Sequence, residues 1–155
     1  MRPLIVGAWV RVGAVAMLSM LVAAACSTGA TPTPAATTVK VTVQEWSVLP
    51  AATSAPAGKI TFEVTNSGPE DIHEFVVIKT DLDAFALPTD ATGAVDEEGG
   101  AMEVLGEIED IAIGSTQTLA LDLAAGHYAL ICNIYSAEEQ EAHYKMGMAA
   151  NFTVQ

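Results

Sequence analysis

Positive charge is scarce in this chain of 155 residues: six Lys+Arg stand against 19 Asp+Glu, a formal net charge of −13. Both arginines, Arg2 and Arg11, lie in the first eleven residues. Beyond them only Lys40, Lys59, Lys79 and Lys145 oppose the 19 acids, which leaves −15. A surface this acidic repels phosphate backbones and excludes nucleic acid as a partner. Cysteine is equally sparse, and Cys26 and Cys132 alone cannot build a disulfide scaffold. Three histidines are too few for an enzyme that holds several metal ions. No Gly-x-Ser-x-Gly, Walker loop, His-Glu-x-x-His or Gly-x-Gly-x-x-Gly occurs, and His73-Glu74 is only a fragment of a zinc-protease motif. The expectation is a binding or carrier protein rather than an enzyme. No uncharged apolar run reaches the ~20 residues of a comfortable bilayer span.

What is present begins with an address. Arg2 and Arg11 form a basic start, and Val12–Ala25 is a 14-residue run of apolar residues broken only by Gly and Ser. That length suits the hydrophobic part of an export signal, so residues 1–25 read as a signal peptide, with an uncleaved anchor as the alternative. The run ends Ala23-Ala24-Ala25-Cys26, which resembles the lipobox of bacterial lipoproteins, although Ala23 stands where Leu is usual. The resemblance implies lipidation of Cys26 and attachment to an extracytoplasmic membrane face. Plain cleavage at the same bond would give a secreted protein. Ser27–Thr38 is Pro, Thr, Ala, Gly and Ser without charge or bulk, so 26–38 reads as a flexible tether and 39–155 as one folded domain.

The domain reads as all-β. Val39, Val41 and Val43 alternate with Lys40, Thr42 and Gln44, and Ile60, Phe62 and Val64 alternate with Thr61, Glu63 and Thr65. Asn66-Ser67-Gly68-Pro69 is a turn, Phe75–Ile78 a short apolar strand, and Leu119, Leu121 and Leu123 alternate again. Strands recur every 10–20 residues, which favours a Greek-key sandwich or barrel. Residues 81–113 form an exception. Met102, Leu105, Ile108 and Ile111 fall at helical spacing there, and the segment is expected to be a long, partly helical insertion.

Cys132 closes a strand whose Tyr128 and Leu130 share its face. If Cys26 is lipidated, Cys132 has no disulfide partner, and a lone thiol outside the cytoplasm is a liability unless something occupies it. The run His143-Tyr144-Lys145-Met146-Gly147-Met148 follows between two strands. Thiolate, imidazole and thioether together select copper over magnesium or calcium, and a trigonal copper site needs a second imidazole. His73, just before the strand Phe75–Ile78, is the candidate; His127 reads as a solvated turn residue.

The series Ile60-Thr61-Phe62, Asn66, His73, Tyr128, Cys132, His143, Met148 and Phe152-Thr153-Val154 resembles the cupredoxin family of small blue copper proteins. The resemblance spans about 39–155 apart from the variable middle segment. It implies one type 1 copper ion held by His73, Cys132, His143 and, as weak axial ligand, Met148, with Met146 as the competing axial candidate. One departure stands out. The family's Cys-to-His gap is two to four residues, whereas ten residues separate Cys132 from His143 here, with Ser136–Ala142 as the apparent insert. The extra closure costs under about 1 kcal/mol, so the insert does not forbid the site.

The function implied is one-electron transfer between extracytoplasmic redox partners, with the electron leaving through a solvent edge of His143. The charge of −15 points to a redox partner with a basic docking surface, and the chain is expected to be a monomer. The rival readings are copper capture, storage or delivery with the same ligands, and a metal-free β-sandwich used for adhesion or scaffolding.

Overall fold

The computed structural model describes residues 36–155; the expected signal peptide, Cys26 and most of the tether lie outside the described residues. The elements in chain order are β1 (Thr37–Gln44), β2 (Ser47–Pro50), β3 (Ser54–Ala55), β4 (Gly58–Asn66), β5 (His73–Lys79), β6 (Glu103–Ile111), β7 (Thr116–Leu123), β8 (Gly126–Ile131), β9 (Tyr135–Ser136), β10 (Glu141–Ala142), α1 (His143–Met146) and β11 (Ala149–Val154). They build two mixed sheets, one ordered β2-β1-β4-β7 and the other β3-β11-β8-β5-β6, with β9 and β10 paired as a small separate hairpin. The pairs β1–β4 and β3–β11 are parallel and the rest antiparallel. Among the described residues, no helix is long and apolar enough to cross a membrane.

Alternation explains the first sheet. Val39, Val41 and Val43 of β1 and Ile60, Phe62 and Val64 of β4 are buried, while Lys40 is exposed. Phe62 meets Phe75 and Phe152 of the opposite sheet at ring-centroid separations of 5.4 and 5.6 Å. β5 and β8 lie in the middle of the second sheet and are buried on both faces, so they read as continuous apolar runs. Phe75, Val77, Tyr128, Leu130 and Cys132 join the main core between the sheets. Val76, Ile78, Ala129 and Ile131 face outward into a second core, closed by Ala84, Leu87, Val95, Met102 and Val104. The segment after β5 thus covers the outer face of the second sheet.

That segment corrects the expected helix within 81–113. Residues 81–102 are turns and bends with one isolated bridge between Thr89 and Val95, and residues 103–111 are strand β6. The register against β5 slips twice: His73 and Phe75 pair with Ile111 and Ile108, and Val77 and Ile78 with Gly106 and Val104. Each slip inserts an extra residue in β6, as a β-bulge does. Two insertions turn a two-residue period into three, so Leu105, Ile108 and Ile111 all meet the main core. A bulged strand has imitated a helical stripe. Asp110, in the bulge beside Ile111, has φ of 50°.

Candidate metal centre

The second sheet delivers the candidate ligands to one end of the sandwich. His73 opens β5, Cys132 follows β8, and Met148 precedes β11, whose Ala149 pairs with Ile131. The N–H of Cys132 donates to the carbonyl of Met148 at 3.1 Å, closing that pairing one residue further on. The ten-residue gap is taken up by β9 and β10, where Tyr135 pairs with Ala142 and Ser136 with Glu141. The N–H of His143 therefore reaches the carbonyl of Ile134 at 2.9 Å, and the insert is looped out as a hairpin rather than as an open acidic loop. The single turn α1 ends at Gly147, with φ of 117°. This left-handed closure suits glycine and reverses the chain so that the N–H of Met148 reaches the carbonyl of His143 at 3.2 Å.

His73, Cys132 and His143 offer one donor atom each, all within 4.8 Å of one another. His73 Nδ1 lies 3.3 Å from His143 Nδ1, and Cys132 Sγ lies 4.0 and 3.5 Å from these two nitrogens. Donors about 2.0–2.3 Å from a shared first-row metal ion in trigonal or tetrahedral array stand roughly 3.3–3.8 Å apart, so the spacing fits one ion. The side chains are buried, with His73 at 0%, Cys132 at 0% and His143 at 2% exposure.

Their protonation suits the same use. Burial holds both imidazoles below the ordinary histidine value; the neighbouring His143 pushes His73 further down, while Glu45 and Asp71 pull it back. Both rings are neutral near pH 7, with lone pairs free to bind a metal. Burial pushes the Cys132 thiol up to about 12 despite the N–H groups of Glu74 and Ile134. The Glu74 N–H lies 3.3 Å from Sγ and is set to donate to a thiolate. A thiolate in this pocket needs a cation beside it, and a soft-to-borderline Cys–His–His set suits one copper ion.

The Cupredoxin-like domain family matches residues 15–143 of the sequence. The chain belongs to that family. No curated protein sequence matches it. The auracyanin of the photosynthetic bacterium Roseiflexus castenholzii is similar in structure at a TM-score of 0.55 and 21% identity, covering 77% of this chain and 97% of that one. Auracyanin A of Chloroflexus aurantiacus, described as a "blue" copper protein, gives 0.52 and 17%, covering 77% and 99%. Rusticyanin of Thiobacillus ferrooxidans gives 0.51 and 14%, covering 77% of each chain. At these identities the likeness is one of fold.

Other predicted positions of this cupredoxin separate clearly. Met148 is fully buried in the main core with Cys132, whereas Met146 is 43% exposed on α1. His127 lies in β8, exposed and outside the cluster. The expected solvent edge of His143 is absent: the Trp46 ring packs edge-on against that imidazole, 5.0 Å between centroids. Trp46 itself is partly exposed.

Several polar residues shape the site, and of these only Asn66 stands in the series read from the sequence. Asn66 is fully buried; it donates to the carbonyls of Asp71 (2.8 Å) and Ile111 (2.9 Å) and accepts from the Gly68 N–H (2.8 Å). It thereby fixes the loop that carries His73. Asn133, next to Cys132, accepts from the Val95 N–H at 2.6 Å and donates to Glu97 Oε1 at 2.8 Å, tying the excursion to the site. Its own N–H donates to Glu74 at 3.3 Å. Burial, with Glu97 adding repulsion, raises the Glu74 carboxyl to about 7. Glu45 is the least expected. It carries on the inward phase of Val39, Val41 and Val43, and that charged residue at a core-facing position was the one signal available.

Proposed function

We propose that this cupredoxin is a mononuclear type 1 copper protein that carries single electrons between extracytoplasmic redox partners. The observation that carries the reading is the convergence of His73 Nδ1, His143 Nδ1 and Cys132 Sγ within 4.8 Å in a buried pocket. Bound copper would supply the one-electron Cu(I)/Cu(II) couple. His73, His143 and Cys132 would hold it, with Met148 as the weak axial donor. Their backbone anchors sit on strands and on the Asn66 network, so the donors keep their places whichever charge the ion carries. Glu74 donates its N–H to the sulfur, and the apolar core keeps water from the site.

The partly exposed Trp46 indole, packed against His143, offers an electron path to the surface in place of a bare imidazole edge. The excess of 19 acids over four lysines outside the first eleven residues favours a partner with a basic docking surface. A lipid on Cys26 would tether the domain at the membrane. The burial of both imidazoles favours a resident ion over one that is captured and passed on.

The experiment adds Cu(II) to the purified protein and records the visible spectrum and a redox titration. An intense charge-transfer band, lost in Cys132→Ser, with reversible one-electron reduction is expected. Copper that exchanges within seconds and cycles irreversibly would favour copper delivery instead. Met148→Leu is expected to keep the colour and shift the potential; indifference to Met148 with sensitivity to Met146 would reverse the axial assignment.

A further inference from the structure

The two residues between β1 and β2 touch both imidazoles. Trp46 packs on His143, while Glu45 reaches the far nitrogen of His73: Glu45 Oε1 lies 3.6 Å from His73 Nε2. That separation is longer than a hydrogen bond. Yet His73 Nε2 and Glu45 Oε2 are both buried and neither has another partner. Leaving such groups unpaired is costly, so a small adjustment that joins carboxylate to ring is favoured.

The carboxylate is held in place for this contact. Oε1 accepts the N–H of Asp71 at 2.8 Å and that of Glu70 at 3.3 Å, both in the loop that leads to His73. Gly68 gives it room, because a Cβ at that position would lie 2.6 Å from Oε1. The ring's other nitrogen, Nδ1, faces Cys132 and His143. When Nδ1 offers its lone pair there, the proton of the neutral ring must sit on Nε2, facing the acid.

We propose that Glu45 is a positioning residue of the metal centre, whose carboxylate accepts the Nε2 proton of His73 and so fixes the ring's tautomer and orientation with Nδ1 aimed at the metal position. It rests on the copper reading for its effect on the metal, but the tautomer exists in the metal-free protein too. Carboxylates behind metal-binding histidines raise the basicity of the ring and hold its plane.

The test uses the purified protein and two variants, Glu45→Gln and Gly68→Ala, the second displacing the carboxylate by sterics alone. In the copper-free protein, nitrogen NMR is expected to show His73 protonated at Nε2, with that proton sheltered from exchange with water. Both variants are expected to lose the shelter. With copper, competition against a chelator is expected to show Cu(II) held about 10–100-fold more weakly in both variants, and the midpoint potential raised. A His73 proton on Nδ1, or Cu(II) affinity and potential unchanged in both variants, would overturn the proposal. Should the wild-type protein take up no copper, the copper reading falls while the NMR result still decides the Glu45 contact.

Discussion

Cys132 is where the chemistry of this site is most exposed to measurement. Its thiol is pushed up to about 12 and both imidazoles are neutral at ordinary pH, so metal uptake should displace one proton, that of the thiol. Between about pH 8 and 9.5, copper affinity is expected to rise about tenfold per pH unit, read by chelator competition; a flat profile would show a thiolate already formed. Glu74 gives a second pH test, of the fold itself. Its carboxyl is raised to about 7 by burial, so the folded chain keeps a proton there that the unfolded chain loses above about 4.5. That contribution to stability is complete at low pH and is lost as pH rises through 7. Glu74→Gln, which stays neutral, should gain on the wild type in copper-free denaturation as pH goes from about 5 to about 8. A difference independent of pH would contradict a half-buried, titrating Glu74. The clustered His73, Cys132 and His143 were legible as candidates in the sequence because Cys and His are rare here and, with Met, their types specify a soft metal. Glu45, Trp46 and Asn133 were not, since acids, aromatics and amides have many uses, and only the folded backbone brings them against the rings.

At the scale of the element, strands with one buried face announced themselves. β1, β4 and β7 alternate, and along each strand the inward residues are more deeply buried than their outward neighbours. β6 did not, because each bulge shifts the phase of alternation, and three-residue spacing is shared by a bulged strand and a helix. The bulge beside Ile111 is testable at Asp110, whose φ of 50° suits Asp, Asn or Gly. Asp110→Val should destabilise by about 1–2 kcal/mol in denaturant unfolding and Asp110→Gly by much less. Equal losses in both would mean that the left-handed backbone is not the determinant. The hairpin of β9 and β10 shows the opposite limit. Its two-residue strands are too short for periodicity, and only the meeting of Ile134 with His143 reveals why the long Cys-to-His gap is harmless.

Over the whole molecule, charge was the plainest reading and the second core the least. The excursion after β5 reads in the sequence as an insertion with no core of its own, because its apolar residues Ala84, Leu87 and Val95 follow no period. Its partner is the outer face of β5 and β8, which made those strands apolar on both sides. Nineteen acids against four lysines in the folded part set up a long-range field whose effect on association depends on salt. Reduction by a basic cytochrome should slow as ionic strength rises from about 10 to about 200 mM, a span over which the screening length shortens several-fold. A rate indifferent to salt would remove steering from the proposed function and leave the site intact. X-ray absorption at the copper edge of the loaded protein then addresses the centre itself. One sulfur and two nitrogen neighbours around a single copper ion, with the sulfur lost in Cys132→Ser, is the expected result. A copper shell of oxygen and nitrogen alone, unchanged by that substitution, would contradict it.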